Sequence, residues 1–374
     1  MAGTFQPGAP HGAAIMTAAQ SIFSDRSHYR RGQRMELADI LRPYWKDAPF
    51  RDEQRRNMYG VSSEDFRVVD KLEEAGIAVL PMTWNYYLKR GEMAQALAFI
   101  QSARRAGRPI LSYVGGDEGV AVPSGCEDVY VVRASGFKSR QRERQVAQPV
   151  FFEDPARTHG DLTTHDRPAN APERPLVGFC GQASARVLKS AWDVSRGWVR
   201  NTAHGLGARL EEPQPLYPPG LLRAQAMRAL EKSPLVETRF IVRSRYRAGN
   251  ASAERTSREF YENMAGADYT LCLRGGGNFS KRFYETLAMA RIPALVDTDC
   301  LLPFEPILPW DAIIVRAPAA QLDSLPQRIA DHFTSAGLAG LAGRKRQCRK
   351  IWEDWLSFAG FHRQLAQWIC RKSS

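Results

Sequence analysis

No two cysteines in this 374-residue chain are spaced C-x-x-C. The six that occur, Cys126, Cys180, Cys272, Cys300, Cys348 and Cys370, are scattered. That excludes a zinc-finger framework and a disulfide-dense secreted scaffold, and they read as reduced, packed thiols. No stretch reaches the ~18 apolar residues of a membrane span, and "GAAIMTAA" near the start is too short and mild for a signal-peptide core. A cytoplasmic protein is therefore expected, meeting a membrane, if at all, peripherally through its basic surface. The seven histidines show no H-E-x-x-H or other ligand spacing, so no metal is expected. What the chain has in excess is positive charge: 52 Lys and Arg against 40 Asp and Glu, a net +12. An anionic partner follows, whether nucleic acid, nucleotide, acidic glycan or membrane surface.

The length favours two domains. Residues 1–30 are small, polar and irregular and read as a flexible N-terminal segment. From about residue 68, helix and strand signals alternate. "VVDKLEEAGIAVLPM" predicts a helix, a stop at Gly76 and a buried strand. "GEMAQALAFIQSARRAG" predicts a helix, and "RPILSYVGGDEG" a strand running into a glycine–acid loop. "EDVYVVRASG" predicts a further strand. This rhythm is that of a parallel α/β sheet, placed over 31–153. Residues 154–175 hold four prolines and no period, and read as a linker. Alternation resumes at "LVGFCG" and continues through "TRFIVRSRY", "SREFYENMAGA", "DYTLCL", "SKRFYETLAMA" and "IPALV", giving a second domain over 176–343. The tail, 344–374, reads as an amphipathic helix or helix pair whose tryptophans pack against the core.

The loop "RGGGNFSKRFYE", 274–285, carries the chemistry. It is no P-loop, since no glycine precedes Lys281, and no dinucleotide fingerprint, since Ser280 stands where the third glycine belongs. A strand, three glycines and a helix start still make an anion site on physical grounds. Arg282 and Glu285, three apart, share one face of the helix. A solvated Arg–Glu pair beside a glycine turn is the alternative. Asp297 and Asp299 form a D-x-D read as a solvated loop lining a sugar pocket. "FKSRQRER", "RSRYR" and "RKRQCRK" are basic runs that could bind nucleic acid, yet no nucleic-acid fold accompanies them.

The stretch from Tyr261 to Trp310 resembles the exostosin family, glycosyltransferase family 47. The matching residues are Leu271, Cys272, Leu273, Gly275, Gly277, Ser280, Arg282, Glu285, Leu287, Ile292, Pro293, Leu302, Pro303, Phe304 and Trp310. "LSYVGGDEGVAV", "QPVFFEDP" and "PLVGFCGQ" resemble earlier family segments more faintly. Arg274 departs from the family's proline, Ala290 from its glycine, and Gln182 follows the domain-opening glycine.

The resemblance implies a GT-B fold: two Rossmann-like α/β domains facing across a cleft, with the C-terminal helix packing back on the N-terminal domain. It implies an inverting transfer of sugar from a nucleoside diphosphate sugar, UDP foremost, to a polysaccharide or glycolipid, without a bound metal. Gly275, Gly276, Gly277, Ser280 and Arg282 would hold the diphosphate and Glu285 the ribose, with Arg186 as a second cation. Asp117 and Glu118 are the candidate bases for the acceptor hydroxyl, supplied from across the cleft. The alternative is a catalytically silent module that binds a nucleotide-sugar or an anionic glycan.

Overall fold

The computed structural model describes residues 19–45, 51–163, 172–183, 187–243 and 253–373. Two parallel sheets organise them. The N-terminal sheet holds β1 (Gln20–Phe23), β2 (Phe66–Val68), β3 (Ile77–Val79), β4 (Ile110–Val114), β5 (Tyr130–Arg133) and β6 (Gln145–Ala147), in the order β2-β1-β3-β4-β5-β6. The C-terminal sheet holds β7 (Leu176–Gln182), β8 (Glu237–Arg243), β9 (Tyr269–Cys272), β10 (Ile292–Asp297) and β11 (Val315–Pro318), in the order β11-β10-β9-β7-β8. Every pairing is parallel. Strands β3, β4, β5 and β9 are buried along their whole length. That is why they read as near-continuous apolar runs, interrupted only by Ser112, Arg133 and Thr270, rather than alternating ones.

Both sheets share one wiring. The first strand of each, β1 or β7, lies between the second and the third. The chain therefore leaves on opposite sides of that strand, and a crevice opens beyond the carboxyl ends where ligands bind in such sheets. In the C-terminal domain the crevice lies between the ends of β7 and β9, where the glycine loop begins. This is the two-domain α/β architecture expected from the resemblance.

Several details differ from the expectation. The segment taken as flexible contains β1, the strand between β2 and β3. It is four residues long with one fully buried side chain, Ile22, too little for a period to show. The helix predicted before Gly76 is instead β2 followed by a single 3-10 turn, Leu72–Glu74. Gly76 is no helix stop: its N–H donates to the Ser21 carbonyl at 3.0 Å, and a side chain there would run into the Gln20 amide. The linker carries short helical turns at Pro155–Thr158 and Gly160–Leu162.

The tail is a helix pair that starts earlier than expected. Leu325–Ile351 packs on the C-terminal sheet and is broken at Gly337, whose φ is +60°. After a π-helical turn, Trp352–Leu356, the helix Phe358–Ser373 crosses to the N-terminal domain. There Arg363 Nε meets Asp65 Oδ1 at 2.6 Å, Trp368 lies edge-on to Tyr130, and Phe361 is fully buried.

Candidate active site between the domains

The glycine loop first joins the two domains. Asn278 is wholly buried. Its backbone N–H donates to Ser135 Oγ at 2.9 Å, and its Nδ2 to the carbonyls of Gly136 at 2.9 Å and Asp299 at 3.0 Å. Thr298 Oγ1 donates to its Oδ1 at 2.7 Å. A Cβ at Gly276 would lie 2.7 Å from Asp117 Oδ2, and one at Gly277 would lie 2.5 Å from the Asp117 carbonyl. The glycines thus let a loop of each domain touch the other, a close approach no larger residue permits. The D-x-D is likewise a fastening. Asp299, at φ +65°, accepts from the Ser139 N–H at 3.0 Å and from the Ser139 hydroxyl, while Asp297 accepts from the Cys300 N–H at 2.8 Å. The solvated loop expected there is an interdomain contact.

Asp117 and Glu118, adjacent in the loop after β4, have opposite surroundings. Glu118 is clamped: Oε1 meets Arg200 Nη1 at 2.6 Å and Oε2 meets Arg209 Nη2 at 2.7 Å. Both carboxylate oxygens are therefore engaged. Asp117 is exposed, and among the described residues its carboxylate has no hydrogen-bond or ion-pair partner.

Above the Gly276 backbone a cavity of about 310 Å³ opens, lined among others by Asp117, Glu118, Arg196, Arg200, Tyr217 and Arg274. Arg274 is 2% exposed. Its Nη2 donates to Gln214 Oε1 at 3.0 Å and to the Gly276 carbonyl at 3.2 Å, but the buried Nε and Nη1 meet no acceptor among the described residues. Burial holds its pKa below the usual arginine value, although Cys300, Glu118 and Asp117 pull the other way. A buried guanidinium with two idle donors is costly.

Arg282 and Glu285 lie on the other flank, beside β7. Arg282 stacks on Phe179, 4.2 Å from the ring centre, and donates to the Cys180 carbonyl at 2.8 Å, leaving Nε without an acceptor among the described residues. Burial lowers its pKa, against the opposing pull of Cys272 and Glu285. Glu285 is 7% exposed and pairs with Lys281 at 3.1 Å rather than with Arg282. The solvated Arg–Glu pair is therefore not what forms. Ser280 caps the helix Lys281–Ala288 by position only, making no side-chain cap bond. Gly275 closes the loop, its N–H donating to the Phe279 carbonyl at 3.1 Å. Arg186 lies outside the described residues.

The sequence reading passed over Arg223. It donates to the carbonyls of Gln182 at 2.8 Å and Arg274 at 3.2 Å, and burial together with Arg282 brings its pKa down to about 10. Arg223, Arg274 and Arg282 thus gather at the β7–β9 crevice, from three separate places in the chain. Of the three, Arg282 was read as a site residue, Arg274 only as the cation standing where the resembling family has proline, and Arg223 gave no local signal.

No protein-family model matches the chain, and no curated protein matches it. Among solved structures, the chain is similar to a glycosyltransferase from Rickettsia africae at 9% identity and a TM-score of 0.37, over 94% of this chain and 98% of that one. It is also similar to an O-GlcNAc transferase mutant from Thermobaculum terrenum at 12% identity and a TM-score of 0.31, over 98% and 70%. Likenesses this distant carry no argument about the chemistry.

Proposed function

We propose that the protein is an inverting glycosyltransferase that takes a sugar from a nucleoside diphosphate, UDP foremost, and passes it to a polysaccharide or glycolipid hydroxyl. The observation that carries this reading is one cavity between two α/β domains, lined by the buried cation Arg274 and by Asp117, whose carboxylate has no partner among the described residues. In the transfer, the acceptor oxygen bonds to the anomeric carbon and the bond from that carbon to the phosphate oxygen breaks. The nucleoside diphosphate leaves with the electron pair, and Asp117 accepts the acceptor's proton. Charge grows on the leaving phosphate, and fixed cations in a water-poor site stabilise it more than they stabilise the ground state. Arg274 and Arg282 supply that charge, so the reading asks no metal of the site. Gly275 shapes the loop, its own N–H being held by Phe279, while the backbone N–H groups of Gly276 and Gly277 and the hydroxyl of Ser280 add donors, and Glu285 and Arg186 complete the donor side. Glu118, held by two arginines, is suited to shaping the loop that carries Asp117 rather than to moving a proton.

Calorimetry with UDP and other nucleoside diphosphates, in the presence of EDTA, tests the binding half. Absence of any nucleotide binding would sink the proposal. Asp117→Asn tests the chemical half: nucleotide affinity is expected to persist while transfer disappears. The second reading, a silent binding module, is favoured by the direct contact of Asp117 with the glycine loop, which narrows the way in for an acceptor. It predicts nucleotide-sugar binding without turnover on any acceptor.

A further inference from the structure

Two of the basic runs of the sequence are partly engaged within the protein, and residues 244–247 of the third lie outside the described residues. Lys345 and Arg349 are consumed internally, and Lys138 pairs with Glu305 at 2.8 Å. A different surface has the chemistry for the anionic-surface contact that the net charge suggests.

The helix Val187–Gly205 forms one wall of the cleft, and its two sides differ. Asp193, Val194, Arg196, Gly197 and Arg200 line the cavity. The opposite side is apolar and open: Trp192 and Trp198 are each 64% exposed, Val199 is 70% exposed, and Leu206, in the turn that closes the helix, is 79% exposed. At 100° per residue these four fall within a sector of about 120°. Ala191, Ser195 and Thr202 share that sector, which contains no acidic residue. Arg196, exposed and one turn from Trp192, stands at its edge, with no ion pair among the described residues. None of the described helices is long and apolar enough to cross a membrane.

We infer that this helix face docks the protein onto an anionic phospholipid surface. Two indoles and two aliphatic side chains held out in water form an apolar patch of the kind that marks a contact site. Tryptophan favours the headgroup level of a bilayer, where its ring is buried and its N–H stays hydrated. An in-plane amphipathic helix binds by sinking such a face while cations at its edge meet lipid phosphates. Arg196 and the net charge of +12 supply the complementary sign. A protein partner would call for a dry, shape-matched patch, whereas Ser195 and Thr202 lie among these apolar residues and suit a headgroup layer. The inference does not depend on the sugar-transfer reading, although the docked face would bring the cleft beside the bilayer.

Flotation of the full chain with vesicles of phosphatidylcholine, with and without phosphatidylglycerol, tests it. Binding is expected only with the anionic lipid, accompanied by quenching of tryptophan emission by brominated acyl chains. The triple variant Trp192→Ser, Trp198→Ser, Val199→Ser is expected to lose binding about tenfold or more, and Arg196→Glu about fivefold. Because these side chains are exposed, the melting temperature should not change. No binding to anionic vesicles, or a triple variant that binds as well as the parent, would overturn the proposal. So would a dimer, seen by light scattering, that the triple variant dissolves, since the face would then belong to a second copy.

Discussion

The basic run at 344–350 and the arginines of the cleft carry the same charge into the protein interior with opposite results. In the tail, Lys345 and Asp268 are 1% and 2% exposed at the side chain and meet at 3.1 Å. Arg349 takes both oxygens of Asp154, at 2.8 and 2.7 Å, and the Ala288 carbonyl at 2.7 Å. Burial disfavours the Arg349 charge, yet Asp154 and Glu353 outweigh it and its pKa ends above the usual value. For Arg274 burial prevails and the pKa ends below it. A charge matched inside the protein holds elements together; a charge left unmatched at a cavity is available to a ligand.

This contrast can be broken at either end, and the largest effect is expected in the tail. Asp268→Ala removes the carboxylate paired with a buried lysine and should lower the unfolding free energy by about 3–5 kcal/mol in denaturant titrations. Adding Lys345→Met should recover most of that loss.

Arg274→Ala should do the reverse. Nucleotide-dependent turnover is expected to fall by about 10²–10³, while thermal stability holds or rises because an unmatched buried cation is gone. A stability loss as large as that of Asp268→Ala would make Arg274 a structural residue and undo the comparison.

Acid should weaken the tail in particular. Burial, reinforced by Arg344, brings His332 down to about 4, and burial brings His362 down to about 4 against the pull of the Phe358 carbonyl. Unfolded, each binds a proton below about 6.5, so between 6.5 and 4 the unfolded chain binds more protons. Stability is therefore full above pH 6.5, is lost as pH falls toward 4, and levels off below. The slope is about 1.4 kcal/mol per pH unit for each proton, and melting curves across that range measure it.

Gly277→Ala is expected to cost about 1–3 kcal/mol through overlap with the Asp117 carbonyl. If instead it leaves stability untouched and removes only nucleotide binding, the glycines serve the ligand more than the domain contact.

The middle of each sheet was legible because its signals are local. β4, β5, β7, β9 and β10 are apolar runs bounded by glycine or charge, and the helices Met93–Arg105 and Lys281–Ala288 follow a regular apolar period. β1 escaped notice because four residues with one buried side chain hold no period; its pairing with β2 and β3, more than forty residues away, makes it a strand. The glycine loop was read as a close backbone approach to a ligand, whereas what approaches Gly276 and Gly277 in the structure is Asp117 of the other domain. Asp117 and Glu118 were indistinguishable as neighbours in a loop. Arg200 and Arg209, about 80 to 90 positions on, separate them.

Two stretches of α/β alternation, an interruption of that alternation near 154–175, a glycine loop at 274–285 and an excess of cations were written in the sequence itself, since composition, period and turn chemistry act over a few residues. Which cation is neutralised and which is left facing a cavity was decided only by the tertiary structure. Desolvation and pairing depend on groups brought from far along the chain. Lys345 finds Asp268 and Arg349 finds Asp154, while Arg274 finds an amide, a carbonyl and an open cleft.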